Sequence, residues 1–201
     1  MDRKQFIISS SITALGLSTF GSVIKKVDGT YNGDCETTND ILGPFYRPAA
    51  PMRSDLTYDG LKGTLITLSG TVFKSDCMTP LKGALIEIWH CDSDGRYDND
   101  SSKFNQRASF LSDDNGEYTF KTIFPGKYLN GKLYRPAHIH YRVTAENSKE
   151  LISQIYFKGD PHIDKDPWAS KDKARLRVLD IIPAGIKGNL LVNFDIHLSQ
   201  K

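Results

Sequence analysis

The chain has 201 residues, is 39% hydrophobic and 25% charged, and carries a formal net charge of +2. That balance suits one globular domain with a sizeable core, and with no dense Lys/Arg stripe it gives no support for nucleic-acid binding. No run of about 18 apolar residues is present, so no helical membrane span is expected.

The first segment, residues 1–21, opens on Asp2-Arg3-Lys4 and runs into Phe6-Ile7-Ile8 and Ile12-Thr13-Ala14-Leu15-Gly16-Leu17. A charged start followed by a mildly apolar stretch is the pattern of an export signal. Arg3-Lys4-Gln5-Phe6-Ile7 resembles a twin-arginine signal with Lys in the second place. The expectation is a periplasmic or secreted protein, or a cytoplasmic one if this segment is not a signal. Residues 22–40 are polar and contain glycine, and read as a linker. Residues 41–201 read as one domain, without internal repeat or low-complexity tract.

Within that domain, period-2 alternation recurs, the signature of half-buried strands. Ile66, Leu68, Gly70 and Val72 alternate with Thr67, Ser69 and Thr71; Ala84, Ile86 and Ile88 share a face; Tyr118, Phe120 and Thr122 alternate with Glu117, Thr119 and Lys121. A histidine-bearing strand follows over 135–143, then 151–157. Near the end, Val192, Phe194, Ile196 and Leu198 oppose Asn193, Asp195 and His197. Turn clusters separate the strands: Thr79-Pro80, Asp92-Ser93-Asp94-Gly95, Asp113-Asp114-Asn115-Gly116 and Pro125-Gly126. No long 3.6-period segment competes. The fold expected is all-β, an antiparallel β-sandwich with long loops carrying the site and few or no long helices.

Cys35, Cys77 and Cys91 are odd in number and form no metal motif. Cys77 and Cys91 are separated by about seven strand residues at about 3.3 Å each, too far for a bridge. Cys35 can pair with either.

His138 and His140 are one residue apart on the fourth of these strands and therefore share a face, while Ala137, Ile139, Tyr141 and Val143 fill the other. Two imidazoles aimed at one point from a rigid element suit a metal, and imidazole serves Zn, Cu and Fe alike. Tyr97 and Tyr128 both follow turns and can reach the same region. A phenol has a pKa near 10, so only a strongly Lewis-acidic ion holds it deprotonated at neutral pH. Anionic oxygen with imidazole points to ferric iron, since Fe(II) prefers two histidines and a carboxylate. Taken singly, each of these residues also has an ordinary explanation: a hydrogen-bonded histidine pair on a polar sheet face, or half-buried packing tyrosines. His90 reads as a neighbour of the ligand shell or a structural residue, and His162 and His197 as loop and surface residues. Asp92, Asp94 and Asp98 lack the glycine and closing glutamate of a calcium loop.

The sequence resembles the intradiol ring-cleavage dioxygenases, the protocatechuate 3,4-dioxygenase and catechol 1,2-dioxygenase group. The resemblance runs from about Thr37 to near the C-terminus. It is carried by Leu42-Gly43-Pro44-Phe45-Tyr46-Arg47-Pro48, by Pro80-Leu81-Lys82-Gly83-Ala84-Leu85-Ile86-Glu87-Ile88-Trp89-His90 and by Gly95-Arg96-Tyr97. Further matches are Thr122-Ile123-Phe124-Pro125-Gly126-Lys127-Tyr128, Tyr134-Arg135-Pro136-Ala137-His138-Ile139-His140, Gln154-Ile155-Tyr156-Phe157 and Gly159-Asp160-Pro161. It implies a β-sandwich with added loops and one Fe(III) per chain held by Tyr97, Tyr128, His138 and His140. It also implies Arg135 and Gln154 in the substrate pocket, with Tyr128 serving as a proton acceptor and Arg135 stabilising developing negative charge. The implied partners are a catechol-type small molecule and O2; an oligomer is possible. Ring substituents are expected to be read between Leu42 and Asp59 and between Asp98 and Phe110.

Two other readings compete. A cupin-like metal enzyme would use Gly131, His138, His140 and Glu146, although the Gly-to-His spacing is one residue too long. A metal-free secreted β-sandwich used for binding would share the fold and not the chemistry.

Overall fold

The computed structural model describes residues 23–25, 31–33, 35–185 and 188–201. The export signal expected at 1–21 lies outside the described residues. In chain order the strands are β1 (Val23–Lys25), β2 (Tyr31–Gly33), β3 (Leu65–Phe73), β4 (Leu85–Trp89), β5 (Arg107–Leu111), β6 (Glu117–Ile123) and β7 (Tyr128–Asn130). They continue with β8 (Leu133–Arg135), β9 (His138–Thr144), β10 (Leu151–Phe157), β11 (Val178–Leu179), β12 (Ile182–Ala184), β13 (Asn189–Asn193) and β14 (Ile196–His197). The helical segments among the described residues are two 3₁₀ turns, Ile163–Lys165 and Asp172–Arg177.

Two five-stranded sheets form the sandwich. One has the order β11-β10-β9-β4-β5; the other has β12-β13-β3-β14, with β6 also paired to β3. The expected alternation is visible in β3, where Ile66, Leu68 and Val72 face inward and meet Phe120 of β6. Gly70 belongs to that inward row for a steric reason. A Cβ there would sit 2.0 Å from the Phe194 carbonyl oxygen, where the chain steps from β13 to β14.

The pairing differs from expectation in one respect. β9–β10, β4–β9, β4–β5 and β3–β6 are antiparallel, but β13 and β14 both pair with β3 in parallel, and β11 runs parallel to β10. The sheets are therefore mixed. The C-terminal run read as one strand is split: after Asn193 the backbone turns at Phe194-Asp195, with the Phe194 N–H donating to the Ser69 carbonyl and Asp195 accepting from the Thr71 N–H. Similarly, 135–143 is not one strand. Pro136 cannot donate to a ladder, so β8 ends at Arg135 and β9 begins at His138.

The two faces of the first sheet are both covered, for different reasons. Ile86 and Ile88 of β4, Ile139, Tyr141 and Val143 of β9, and Leu151 and Ile155 of β10 point into the hydrophobic core. The opposite face carries two cross-strand rows, Trp89–His140–Gln154 and His138–Tyr156. That face is sealed by an irregular strap, residues 35–47, whose residues 35–40 fall in the stretch expected to be linker. The Thr37 N–H donates to the His197 carbonyl and the Asp40 N–H to that of Ile152. A Cys35–Cys77 disulfide (Cα–Cα 6.0 Å) fastens its start to the β3–β4 loop, which decides between the two pairings open in the sequence. Cys91 is free and buried.

Candidate metal centre

His138 and His140 point from β9 into the sealed face, at 0% and 1% exposure. Their surroundings hold each ring in one state. The His138 Nδ1–H donates to the Pro136 carbonyl at 2.7 Å, which leaves Nε2 as the lone-pair nitrogen. Burial first, and then the Arg135 charge, bring its pKa down to about 3. His140 is pushed well below the usual histidine value by burial and by His138. Both are neutral imidazoles at physiological pH, the form a metal requires. The His140 ring stacks on Trp89, with centroids 4.8 Å apart and planes 9° apart. On its edge lies Gly43, where a Cβ would come within 3.0 Å of His140 Cε1.

The tyrosines arrive on loops that clasp one another. After β4, Asp92 Oδ1 accepts from the N–H groups of Asp94 and Arg96 at 2.9 and 2.8 Å, closing a tight turn. Asp92 is thus a turn residue, in keeping with the rejection of a calcium loop. The Gly126 N–H donates to the Asp92 carbonyl at 2.9 Å. Side chains are excluded at this clasp. A Cβ on Gly95 (φ +83) would lie 2.3 Å from the Lys127 carbonyl oxygen, and one on Gly126 would lie 2.5 Å from that of Ser93. Tyr97 and Tyr128 follow directly on the two clasped segments, and their rings meet edge to face at 5.7 Å.

The four expected ligands converge. The Tyr97 hydroxyl is 3.2 Å from His138 Nε2 and donates to it; the His138 and His140 centroids are 5.0 Å apart, and those of Tyr128 and His138 are 5.6 Å apart. A phenol oxygen and an imidazole nitrogen about 3 Å apart is the spacing of two donors that share one ion at about 2 Å from each. Burial, with Cys91 and Tyr128 adding to it, holds the Tyr97 hydroxyl well above its ordinary pKa. Tyr97 is therefore a phenol until a cation draws off its proton. Tyr97 and Tyr128 together with two neutral imidazoles fit a ferric ion better than a divalent one.

Arg135 and Gln154 reach the same region with part of their valence already used. Arg135 forms a bidentate pair with Asp166, Nε to Oδ2 at 2.7 Å and Nη2 to Oδ1 at 3.3 Å. It therefore enters as a charge-matched donor rather than a free cation. Against the lowering effect of burial, that pair raises its pKa. Gln154 Nε2 donates to the Ile41 carbonyl at 3.2 Å, and its Oε1 is enclosed without a partner.

Other expectations fare differently. His90 is structural: Nδ1–H donates to the Cys91 carbonyl and Nε2 accepts from the Thr122 hydroxyl, and burial lowers its pKa to about 4. His162 is a loop residue beside Tyr134. His197 is not a surface residue; it sits in β14, half-buried and stacked on Phe73 at 4.9 Å. It also lies beside Cys35 and Cys77, a trio closed by the disulfide. Residues 107–110, expected in a substrate loop, belong to β5. Arg107 is 1% exposed and donates to the Phe45 and Asp98 carbonyls. Glu146, needed for a cupin-like set, is exposed in the β9–β10 turn, at the far end of β9 from His138. A surface cleft of about 740 Å³ is lined by Lys74, Lys82, Glu146 and Gln200 among others, and none of the six expected site residues borders it.

In the sequence Phe45 is marked only by its place in Leu42-Gly43-Pro44-Phe45-Tyr46-Arg47-Pro48. Its ring stacks on Tyr97 (4.1 Å, 17°) and meets Tyr128 edge-on at 5.7 Å. Nothing in the sequence marks Asp166 or Asp40 as neighbours of the site, and Tyr156 is marked by sharing a strand face with Gln154.

Comparison with known proteins agrees with this geometry. The dioxygenase family model matches residues 41–200. Chlorocatechol 1,2-dioxygenase of Rhodococcus opacus is 32% identical over 195 residues, covering 82% of this chain and 73% of its own length. Catechol 1,2-dioxygenase of Acinetobacter baylyi is 36% identical over 181 residues; the match takes in 76% of this chain but only 57% of that enzyme. Among solved structures, the dioxygenase domain of a dioxygenase carbohydrate-binding protein fusion from Streptomyces sp. SirexAA-E superposes with a TM-score of 0.73 at 30% identity, over 83% of this chain and 99% of that one.

Proposed function

Since the chain belongs to the intradiol ring-cleavage dioxygenases, we propose that it opens a catechol-type ring between its two hydroxyls with O2, giving a cis,cis-muconate-type product. One Fe(III) per chain would be held by Tyr97, Tyr128, His138 and His140. The observation that carries this reading is the meeting of two phenols and two neutral imidazoles on one sealed sheet face, with Tyr97 Oη and His138 Nε2 3.2 Å apart. The relatives are named for catechol, chlorocatechol and hydroxyquinol, and the vicinal diol common to those three is the substrate feature proposed here.

The ferric ion, when bound, supplies Lewis acidity and a template for a chelated diol, drawing electron density from the ring so that it becomes reactive toward O2. The chain's own groups do the rest. His138 and His140 cannot take up the substrate's protons because burial keeps them neutral. Tyr97 is pinned by its stack on Phe45 and by His138, whereas Tyr128 is held more loosely, edge-on to Phe45 and Tyr97, with the His138 ring 5.6 Å away and the Arg135 guanidinium 6.0 Å away. With the ion bound, Tyr128 would therefore be the side chain better able to accept a diol proton. Arg135 supplies an oriented N–H where negative charge develops. The strap keeps bulk water from the face bearing His140 and Gln154.

Export is part of the proposal. It is supported by the N-terminal pattern and by the Cys35–Cys77 disulfide, since such bonds persist in oxidising compartments. Finding the chain only in the cytosol would contradict it. The test of the activity is oxygen uptake by the iron-loaded protein on catechol, with the product's ultraviolet spectrum. A muconate supports the reading; a product cleaved beside the diol, or no uptake, overturns it.

A further inference from the structure

Behind the candidate ligands lies a buried chain of charges that sequence patterns do not reveal. Asp166 is fixed by its own turn: Oδ1 accepts from the Trp168 and Ala169 N–H groups at 2.9 and 2.7 Å. Its two oxygens take Nε and Nη2 of Arg135, and the guanidinium carbon lies over the Trp168 ring, 4.4 Å from its centroid. Arg135 Nη2 also donates to the Tyr156 hydroxyl at 3.2 Å, which donates to Asp40 Oδ2 at 3.1 Å. Asp40 in turn accepts from Arg177 Nη1 at 2.8 Å. Two arginines and two aspartates thus balance around one phenol, all of them buried.

This network leaves one guanidinium nitrogen free. Nη1 of Arg135 makes no hydrogen bond among the described residues, and it is not one of the enclosed, unpartnered atoms. The guanidinium carbon is 6.0 Å from the centre of the Tyr128 ring, and Tyr128 and Arg135 are directly paired across the β7–β8 ribbon, on one face of it. We propose that Asp166, seconded by Tyr156 and Trp168, is the positioning residue that aims Arg135 Nη1 at the reacting diol, so that Arg135 acts as one oriented donor and not as a mobile cation. A lysine could not replace it, since an ammonium has no planar fork to hold at two points while presenting a third. The inference rests on the ring-cleavage reading above.

The test uses the full chain loaded with iron, comparing wild type with Asp166→Asn, Asp166→Glu, Tyr156→Phe and Trp168→Leu. Five quantities are read: iron content, the resting tyrosinate-to-iron charge-transfer band, the catechol dissociation constant from anaerobic titration of that band, kcat and KM. Because the four ligands are untouched, iron content and the resting band should match wild type. In Asp166→Asn, kcat per bound iron should fall at least tenfold with catechol affinity changed less than threefold, and Asp166→Glu should recover part of the loss. If Asp166→Asn does not fold, Tyr156→Phe and Trp168→Leu decide, each expected to lower kcat per iron about threefold or more. Unchanged kcat per iron across the folded variants, with only iron retention or melting temperature lowered, would overturn the positioning role. A wild type that cleaves no catechol would overturn the functional reading, and this inference with it.

Discussion

His138 and His140 ride on a strand whose other face is hydrophobic core, while Tyr97 rides on a loop and Tyr128 on the short β7–β8 ribbon, both outside the two main sheets. The imidazoles inherit their positions from β9, paired on both sides by β4 and β10 and anchored by Ile139, Tyr141 and Val143. The phenols depend on three local devices: a backbone clasp at Gly95 and Gly126, the Asp92 turn, and Phe45 from residues far away in sequence. Damage to the strand should therefore show first as lost stability, and damage to the loops as lost chemistry in a protein that still folds.

Removing a phenol tests that contrast most severely. Tyr97→Phe or Tyr128→Phe should cut turnover by about 100-fold or more and shift the charge-transfer band, with melting hardly changed, as expected when a metal's surroundings are altered. Absorption spectra and oxygen uptake read both. Gly95→Ala is the corresponding break in the clasp. Its positive φ and the 2.3 Å approach to the Lys127 carbonyl should displace both tyrosine loops together, lowering turnover by about 100-fold and costing ~2 kcal/mol of stability. On the strand side, Ile139→Ala should cost ~2–5 kcal/mol by denaturant melt, yet the folded fraction should keep the parent spectrum.

How much of this was legible in the sequence follows the same division. The period-2 pattern located β3, β4, β6, β9 and β10, because each buries one regular face against the core. The histidine pair was readable for that reason. The tyrosines stood out only through their motifs, since turn residues carry no periodicity. Arg107–Leu111 was missed as a strand although Arg107 and Ser109 alternate with Ala108 and Phe110, because the run is only five residues long and one of its apolar positions is a small alanine. The parallel pairing of β13 and β14 with β3 depends on contacts across more than a hundred residues, which no local pattern encodes. Asp166 reaches Arg135 for the same kind of reason, by a loop closing over the sheet.

Smaller effects sharpen the comparison. Phe45→Leu removes an aromatic stack worth ~0.5–1.5 kcal/mol and should move the charge-transfer band modestly while leaving the melt near wild type. Acid should act on the sheet instead. His90, hydrogen-bonded and buried, has its pKa lowered to about 4 from the 6.5 of a free histidine. Below pH 6.5 the unfolded chain binds a proton that the folded chain refuses, so stability is full above 6.5 and declines as pH falls toward 4. Thermal melts of the metal-free protein across that window should show the decline, and His90→Gln should make it shallower, the buried His138 and His140 supplying the remainder.

The most direct measurement is anomalous diffraction at the iron edge from crystals of the iron-loaded protein. A single peak bonded to the hydroxyl oxygens of Tyr97 and Tyr128, to His138 Nε2 and to a ring nitrogen of His140 is the predicted result. A peak elsewhere, or one that leaves any of those four side chains out of contact in the resting state, would contradict it.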